Sequence, residues 1–390
     1  MFRSVRVAAV LVATTLLAAA CSTDGNREPP GRAAPLPSAA SSPGAGPPDP
    51  GSPSAPPSAA APAPTLRPGT PQVLVRGLAA PWGLAFLPGG DALVSERDSA
   101  RLLRVRRDGS VQPLGAVPGV DASGEGGLLG IAVRSSFDTD RLVYAYYTSP
   151  GDNRIVRFPL IGDRLGPQQV LVTGIPVSGI HNGGRLVFGP DGMLYAGTGD
   201  ASERGRSQDL GSLGGKVLRM TPEGKPPADN PVRGSLVFSR GHRNVQGLAF
   251  DPAGRLFASE FGQNRFDEVN AIVAGGNYGW PEVEGAGGEP RFRDPLVTWA
   301  TDESSPSGAA IAGGALYVAA LKGQRLWRIP LDGRGGLGRP EALFVGRFGR
   351  LRHVALASDG SLWVLTSNRD GRGDPIADDD RILRIPLVRG

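Results

Sequence analysis

The chain has 390 residues, with Lys+Arg 42 against Asp+Glu 37 and a formal net charge of +5. Gly (58) and Pro (37) supply about a quarter of it and aromatic residues only 6%, which excludes a helical bundle and favours turns, coil and short strands. One cysteine and three histidines exclude a disulfide framework, a cysteine-based zinc or iron–sulfur site and a multi-histidine metal site. A bound metal should therefore be a hard cation on oxygen ligands. A charge of +5 over this length is no nucleic-acid footprint.

The chain opens with Arg3 and Arg6, an apolar run from Val7 to Ala20, and then Cys21. A basic start and a short apolar stretch describe a secretory signal over residues 1–20, too short for the ~20 residues of a membrane span. Leu17-Ala18-Ala19-Ala20 before Cys21 resembles a bacterial lipobox. That resemblance implies cleavage before Cys21, lipidation of its thiol, and export to the outer face of the cell membrane, held by the lipid anchor only. An ordinary signal peptide with an incidental cysteine is the plainer alternative. Residues 21–72, dominated by Pro, Ala, Ser and Gly, cannot bury enough apolar surface to offset their ordering entropy and are expected to be a disordered linker.

From residue 73 to 390 the sequence repeats. An apolar run, a turn with Gly or Asp-Gly, a second apolar run and often a third near Arg-Ile recur, starting at Gly83, Gly130, Leu186, Gly247, Gly308 and His353. Third-strand candidates begin at Arg101, Arg154, Arg325 and Arg381. Short strands joined by Gly or Asp turns are antiparallel hairpins. Six units of about 53 residues predict an all-β fold, a six-bladed β-propeller. Residues 197–240 and 261–306 exceed the needs of a blade, and such insertions should converge on a site at the mouth of the central channel.

The chemistry-bearing residues follow in order. His181, in His-Asn-Gly-Gly-Arg-Leu, sits on a loop and can take a proton if a carboxylate orients it; Asp200 is the candidate. Arg243 and Asn244, in Gly-His-Arg-Asn-Val-Gln-Gly-Leu, offer a bidentate cation and an amide to an anionic or carbonyl ligand. In Ser259-Glu-Phe-Gly-Gln-Asn and the following Asp267 and Glu268, loop carbonyls and carboxylates suit calcium. Only three of the 42 cations are lysines, which makes Lys322 informative, and Arg350 and Arg352 share one face of an extended segment. Each segment alone also reads as a polar turn or a solvated charge cluster.

In this order the motifs resemble the soluble quinoprotein family of pyrroloquinoline quinone (PQQ)-dependent aldose, glucose and sorbosone dehydrogenases, from about Pro81 to Ile385. Gly275-Gly-Asn-Tyr-Gly-Trp-Pro and Leu321-Lys-Gly match as well. The resemblance implies a six-bladed propeller that binds PQQ and Ca²⁺ and oxidises the C1 hydroxyl of an aldose to the lactone. It implies that His181 is the base, that Asp200 orients it, and that Arg243 and Asn244 contact the quinone oxygens. Lys322, Arg350 and Arg352 would neutralise the cofactor carboxylates, with Glu125 a polar neighbour. The main-chain carbonyls of Gly262 and Gln263 would bind the cofactor's calcium, while Asp267, Glu268 and Tyr278 fall where some members carry a structural calcium. Phe261, Gln263 and Ile180 depart from the pattern of some members and alter the pocket wall. The alternatives are a calcium-dependent sugar lactonase, which needs no cation cluster, and a non-catalytic binding propeller. The sequence selects no sugar and no electron acceptor; a soluble cytochrome or a membrane quinone pathway would both serve.

Overall fold

The computed structural model describes residues 66–389. The expected signal peptide, Cys21 and the linker up to residue 65 lie outside the described residues. The described residues form six antiparallel sheets arranged as the blades of a propeller. The innermost strands are Pro81–Phe86, Leu128–Val133, Leu186–Phe188, Val245–Phe250, Pro306–Ala312 and Leu351–Leu356, which define blades 1 to 6. Every repeat start read from the sequence falls within one of them or, for His353 and Leu186, on its own strand. All four third-strand candidates also hold, in Arg101–Val105, Asn153–Ile161, Arg325–Pro330 and Ile382–Ile385.

Each innermost strand packs on its neighbours around the ring, blade 6 meeting blade 1. Because each sheet is covered on both faces by other blades, its central strands are apolar throughout rather than alternating; Ala315–Ala320 is buried at every position. The core is correspondingly divided into six layers, one at each interface between blades. The layer between blades 2 and 3 joins Tyr144, Tyr146 and Ile155 to Leu194, Leu218 and Met220. Full burial of one such side chain contributes ~1.5–3 kcal/mol, so the layers together fix the ring.

Ordered β structure begins earlier than the expected boundary at 73. Leu66–Pro68 pairs with Leu387–Arg389, and Gln72–Val75 pairs with Ile382–Ile385 to complete blade 6. The apolar alternation there is too short to separate from the linker's composition. No helix of the described residues is long and apolar enough to cross a membrane.

Antiparallel pairing places two kinds of connection at one mouth of the channel: the segment entering an innermost strand, and the loop between the second and third strands of a blade. The insertion starting at 197 and the 261–265 loop are of the second kind, in blades 3 and 4.

Candidate active site

The segment entering blade 3 carries His181, whose backbone takes φ 59°, the left-handed region. Two contacts hold it there. Its amide donates to Glu125 Oε2 at 3.1 Å, and its carbonyl accepts from the Ala201 amide at 3.2 Å. The approach of the two loops is close enough that a Cβ at Gly199 would fall 1.9 Å from the His181 carbonyl, so this position needs glycine.

The imidazole is held on both nitrogens. Nδ1 lies 2.8 Å from Asp200 Oδ1, and Nε2 lies 2.7 Å from Arg243 Nη2. A guanidinium donates only, so Nε2 is the acceptor and Nδ1–H donates to Asp200. His181 is thus a neutral imidazole with its lone pair on Nε2. Asp200 also accepts from Trp280 Nε1 (2.9 Å) and the Ser202 amide (2.8 Å). Burial opposes its ionisation, but the hydrogen bonds from His181, Trp280 and Ser202 hold the carboxyl below its ordinary value.

Arg243 enters blade 4 and is spent at every nitrogen: Nε donates to Gln263 Oε1 (2.9 Å), Nη1 to the Phe261 carbonyl (3.1 Å), and its amide to Glu260 Oε1. Burial lowers its pKa, partly offset by Asp200 and Glu260. Glu260 in turn accepts from His242 Nδ1 (2.8 Å), whose Nε2 meets Ser239 Oγ (2.8 Å). Asn244 is fully buried; its Oδ1 accepts from the Gly183 amide at 2.9 Å, and its Nδ2 has no partner among the described residues.

Beside this pair lies a small cavity of roughly 30 Å³ lined by Trp82, Arg97, Glu125, Gln246, Phe261, Leu321, Arg350, Arg352, Asp370 and Arg372. As it stands this space has room for about one water, so a small-molecule ligand requires its lining side chains to move apart. Arg350 and Arg352 both reach Asp370 Oδ2, at 2.9 and 3.3 Å, and Arg352 also donates to Gln246 Oε1. Burial pulls Arg352 down to about 10, against the pull of Asp370. Asp370 is kept below its ordinary value because Arg352 and Arg350 outweigh its burial. Arg352 Nε has no partner, and Trp82 lies under both Arg352 (5.8 Å) and Arg185 (4.1 Å). Glu125 and Phe261 border this cavity and bond to His181 and Arg243, which joins the base to the cation cluster. Lys322 is exposed, next to the lining residue Leu321 and with no ion pair among the described residues.

Gly262 and Gln263 follow the strand Leu256–Glu260. Glu284 Oε1 accepts from four consecutive amides, Gln263, Asn264, Arg265 and Phe266, at 2.7, 2.9, 2.9 and 3.2 Å. This nest turns the loop's amides inward and keeps the Gly262 and Gln263 carbonyls free of hydrogen bonds among the described residues. The turn is so tight that a Cβ on Gly262 would lie 1.8 Å from the Phe266 carbonyl. Despite Glu284's burial, the four amides lower its pKa.

Asp267, Glu268 and Tyr278 each bond to different partners. Asp267 and Glu268 are neighbours on the strand Phe266–Ile272 and face opposite ways. Asp267 accepts from the Gly262 and Ser305 amides (2.9 and 2.6 Å), and Glu268 from the Gly285 amide (2.7 Å) and Asn270 Nδ2 (3.0 Å). The Tyr278 hydroxyl donates to the Ala271 carbonyl and accepts from the Val273 amide. Among the described residues no group of three or more His, Cys, Asp or Glu side chains is placed to hold a metal ion.

Sequence reading missed Asp370, Arg97, Gln246, Trp82, Glu284 and the His242–Glu260 pair. Trp280 lay within a quoted motif, though without a role. His242 and Glu260 stand in segments singled out for their neighbours, so position pointed to them; Asp370 and Glu284 carry no local signal.

Residues 78–384 match the glucose/sorbosone dehydrogenase family. An aldose sugar dehydrogenase from Streptomyces coelicolor, solved in a PQQ-bound form, is 55% identical, with a TM-score of 0.80 over 84% of this chain and 100% of that one. The aldose sugar dehydrogenase YliI of Escherichia coli is 30% identical over 77% of this chain and 90% of its own. Quinoprotein glucose dehydrogenase B of Acinetobacter calcoaceticus is 36% identical over 55% of this chain and 52% of its own.

Proposed function

The chain belongs to the glucose/sorbosone dehydrogenase family, and on that premise we propose that it oxidises the C1 hydroxyl of an aldose to the lactone with PQQ and calcium, His181 being the base. The observation that carries this reading is the neutral imidazole with its lone pair on Nε2, set against Arg243 and bordering a cavity rich in arginine.

The residues fit a polyanionic quinone. Arg97, Arg350, Arg352 and Arg372 outnumber the carboxylates of Glu125 and Asp370 in the cavity wall, and Trp82 offers an aromatic surface. Asn244 Nδ2 and Arg352 Nε are buried donors without partners, a costly arrangement that an acceptor-rich ligand would relieve. The free carbonyls of Gly262 and Gln263 suit a hard cation. When bound, PQQ supplies the carbon that takes the hydride from C1, and calcium supplies Lewis acidity.

This chain's residues do the rest. His181 Nε2 receives the hydroxyl proton as the C1–H electron pair leaves and the C1–O double bond forms. Asp200 holds Nδ1–H and stabilises the imidazolium that results. Arg243 Nη2 must leave Nε2 for that proton to arrive, and its charge then favours negative charge developing beside it. Lys322 at the rim adds a further cation for a carboxylate. A sugar lactonase would have no use for this cation cluster.

The test supplies PQQ and Ca²⁺ to purified protein and follows dye reduction with a panel of aldoses. His181→Gln should abolish turnover while retaining PQQ; dye reduction at the wild-type rate would remove His181 as base. We further propose that Cys21 carries a lipid that tethers the protein outside the cell. Cys21→Ser should release it into the medium, and continued membrane fractionation would rule the tether out.

A further inference from the structure

Glu125 has the wrong charge for the wall of a polyanion pocket, yet it lines the cavity. Its Oε2 accepts the His181 amide, holding the backbone of the base in its left-handed conformation. Its Oε1 meets Arg372 Nη2 at 2.8 Å, with side-chain exposures of 21% and 60%. Arg372 comes from the loop between the second and third strands of blade 6, and its amide donates to Asp370 Oδ1 at 3.0 Å. Asp370 is the carboxylate that gathers Arg350 and Arg352. The guanidinium of Arg372 is therefore tied, through its own backbone, to the cluster that would hold the cofactor.

We propose that Arg372 is a positioning residue: it supplies the counter-charge that lets Glu125 hold the His181 backbone without repelling a polycarboxylate cofactor. This rests on the PQQ reading above. Glu125 alone would place a carboxylate facing the ligand; the ion pair makes the wall neutral at that point and leaves the amide contact intact.

Equilibrium titration with PQQ at saturating Ca²⁺, read by quenching of tryptophan fluorescence, tests this without turnover. Arg372 is exposed, so its replacement leaves the core untouched. Arg372→Gln should weaken PQQ binding about fivefold, and the loss should shrink in ~1 M salt, where the Debye length falls to ~3 Å. Glu125→Gln keeps an acceptor for the His181 amide and should bind PQQ at least as tightly as wild type. The double variant should return to within about twofold of wild type, the signature of a coupled pair. Unchanged affinity in Arg372→Gln, a salt-independent loss, or a double variant as weak as Arg372→Gln would each overturn the proposal. Wild-type protein that binds no PQQ would overturn the cofactor reading as well, whereas wild-type binding with an unaffected Arg372→Gln overturns only the role of Arg372.

Discussion

His181 Nε2 and Arg243 Nη2 are 2.7 Å apart, and this one contact decides the tautomer of the imidazole before any substrate arrives. The proton must then sit on Nδ1, where Asp200 receives it. Asp200→Asn removes the negative charge that would stabilise the imidazolium, so protonation at Nε2 becomes costly. A fall in kcat of about 10³-fold is expected, with PQQ affinity nearly unchanged. Steady-state kinetics beside a PQQ titration check this; equal losses in both would make Asp200 a structural residue.

The calcium ligands proposed at Gly262 and Gln263 depend on a carboxylate that touches neither carbonyl. With Glu284→Ala, four amides lose their shared acceptor and the loop is free to turn its carbonyls away. Calcium affinity should fall by about 10-fold, the scale of outer-shell effects on metal sites. A calcium titration of the apoprotein reads it directly, and an unaltered affinity would detach the nest from the metal.

Glu268 faces Glu260 across a strand pair and is buried. Burial first, and Glu260 second, push its carboxyl up to about 8 from an ordinary 4.5. Between those values the folded state binds more protons than the unfolded one, so stability declines as pH rises from about 4.5 to about 8. Glu268→Gln escapes this penalty, and Asn270 Oδ1, now without a partner, can turn to accept from the new amide. In a metal chelator the variant should melt at a higher temperature than wild type at pH 9 and at the same temperature near pH 4. Equal melting at both would refute the assignment.

Lys216 is fully buried and donates to the carbonyls of Arg206 (2.6 Å), Ser207 (3.2 Å) and Gly214 (2.6 Å). These belong to the insertion that begins just before Asp200. Lys216→Met leaves the Arg206 and Gly214 carbonyls without donors, while Ser207 keeps the Gly241 amide, and should destabilise the protein by about 3 kcal/mol. Denaturant unfolding measures it, and a midpoint within error of wild type would show that water replaces the ammonium.

The blades were legible because each repeat announces itself with the same strand and turn chemistry, from Gly83 to His353. The clustering of His181, Asp200 and Arg243 was legible because they stand in loops of unusual composition beside those strands. Asp370 and Glu284 were not. Each acts on groups 18 to 21 residues earlier in the chain that only folding brings near, and Asp-Gly and Val-Glu are ordinary loop sequence. Asp267 and Glu268 stand apart for a related reason: adjacent residues on a strand point to opposite faces, a constraint visible only once the strand Phe266–Ile272 is known to include both.

The sixth blade borrows Gln72–Val75 from the beginning of the folded region and takes its other three strands from the end. During synthesis the first piece must wait, unpaired, for more than three hundred residues before its partner Ile382–Ile385 emerges. A product cut short anywhere before that point is left as an open arc with an uncovered edge, so the ring itself separates finished molecules from unfinished ones.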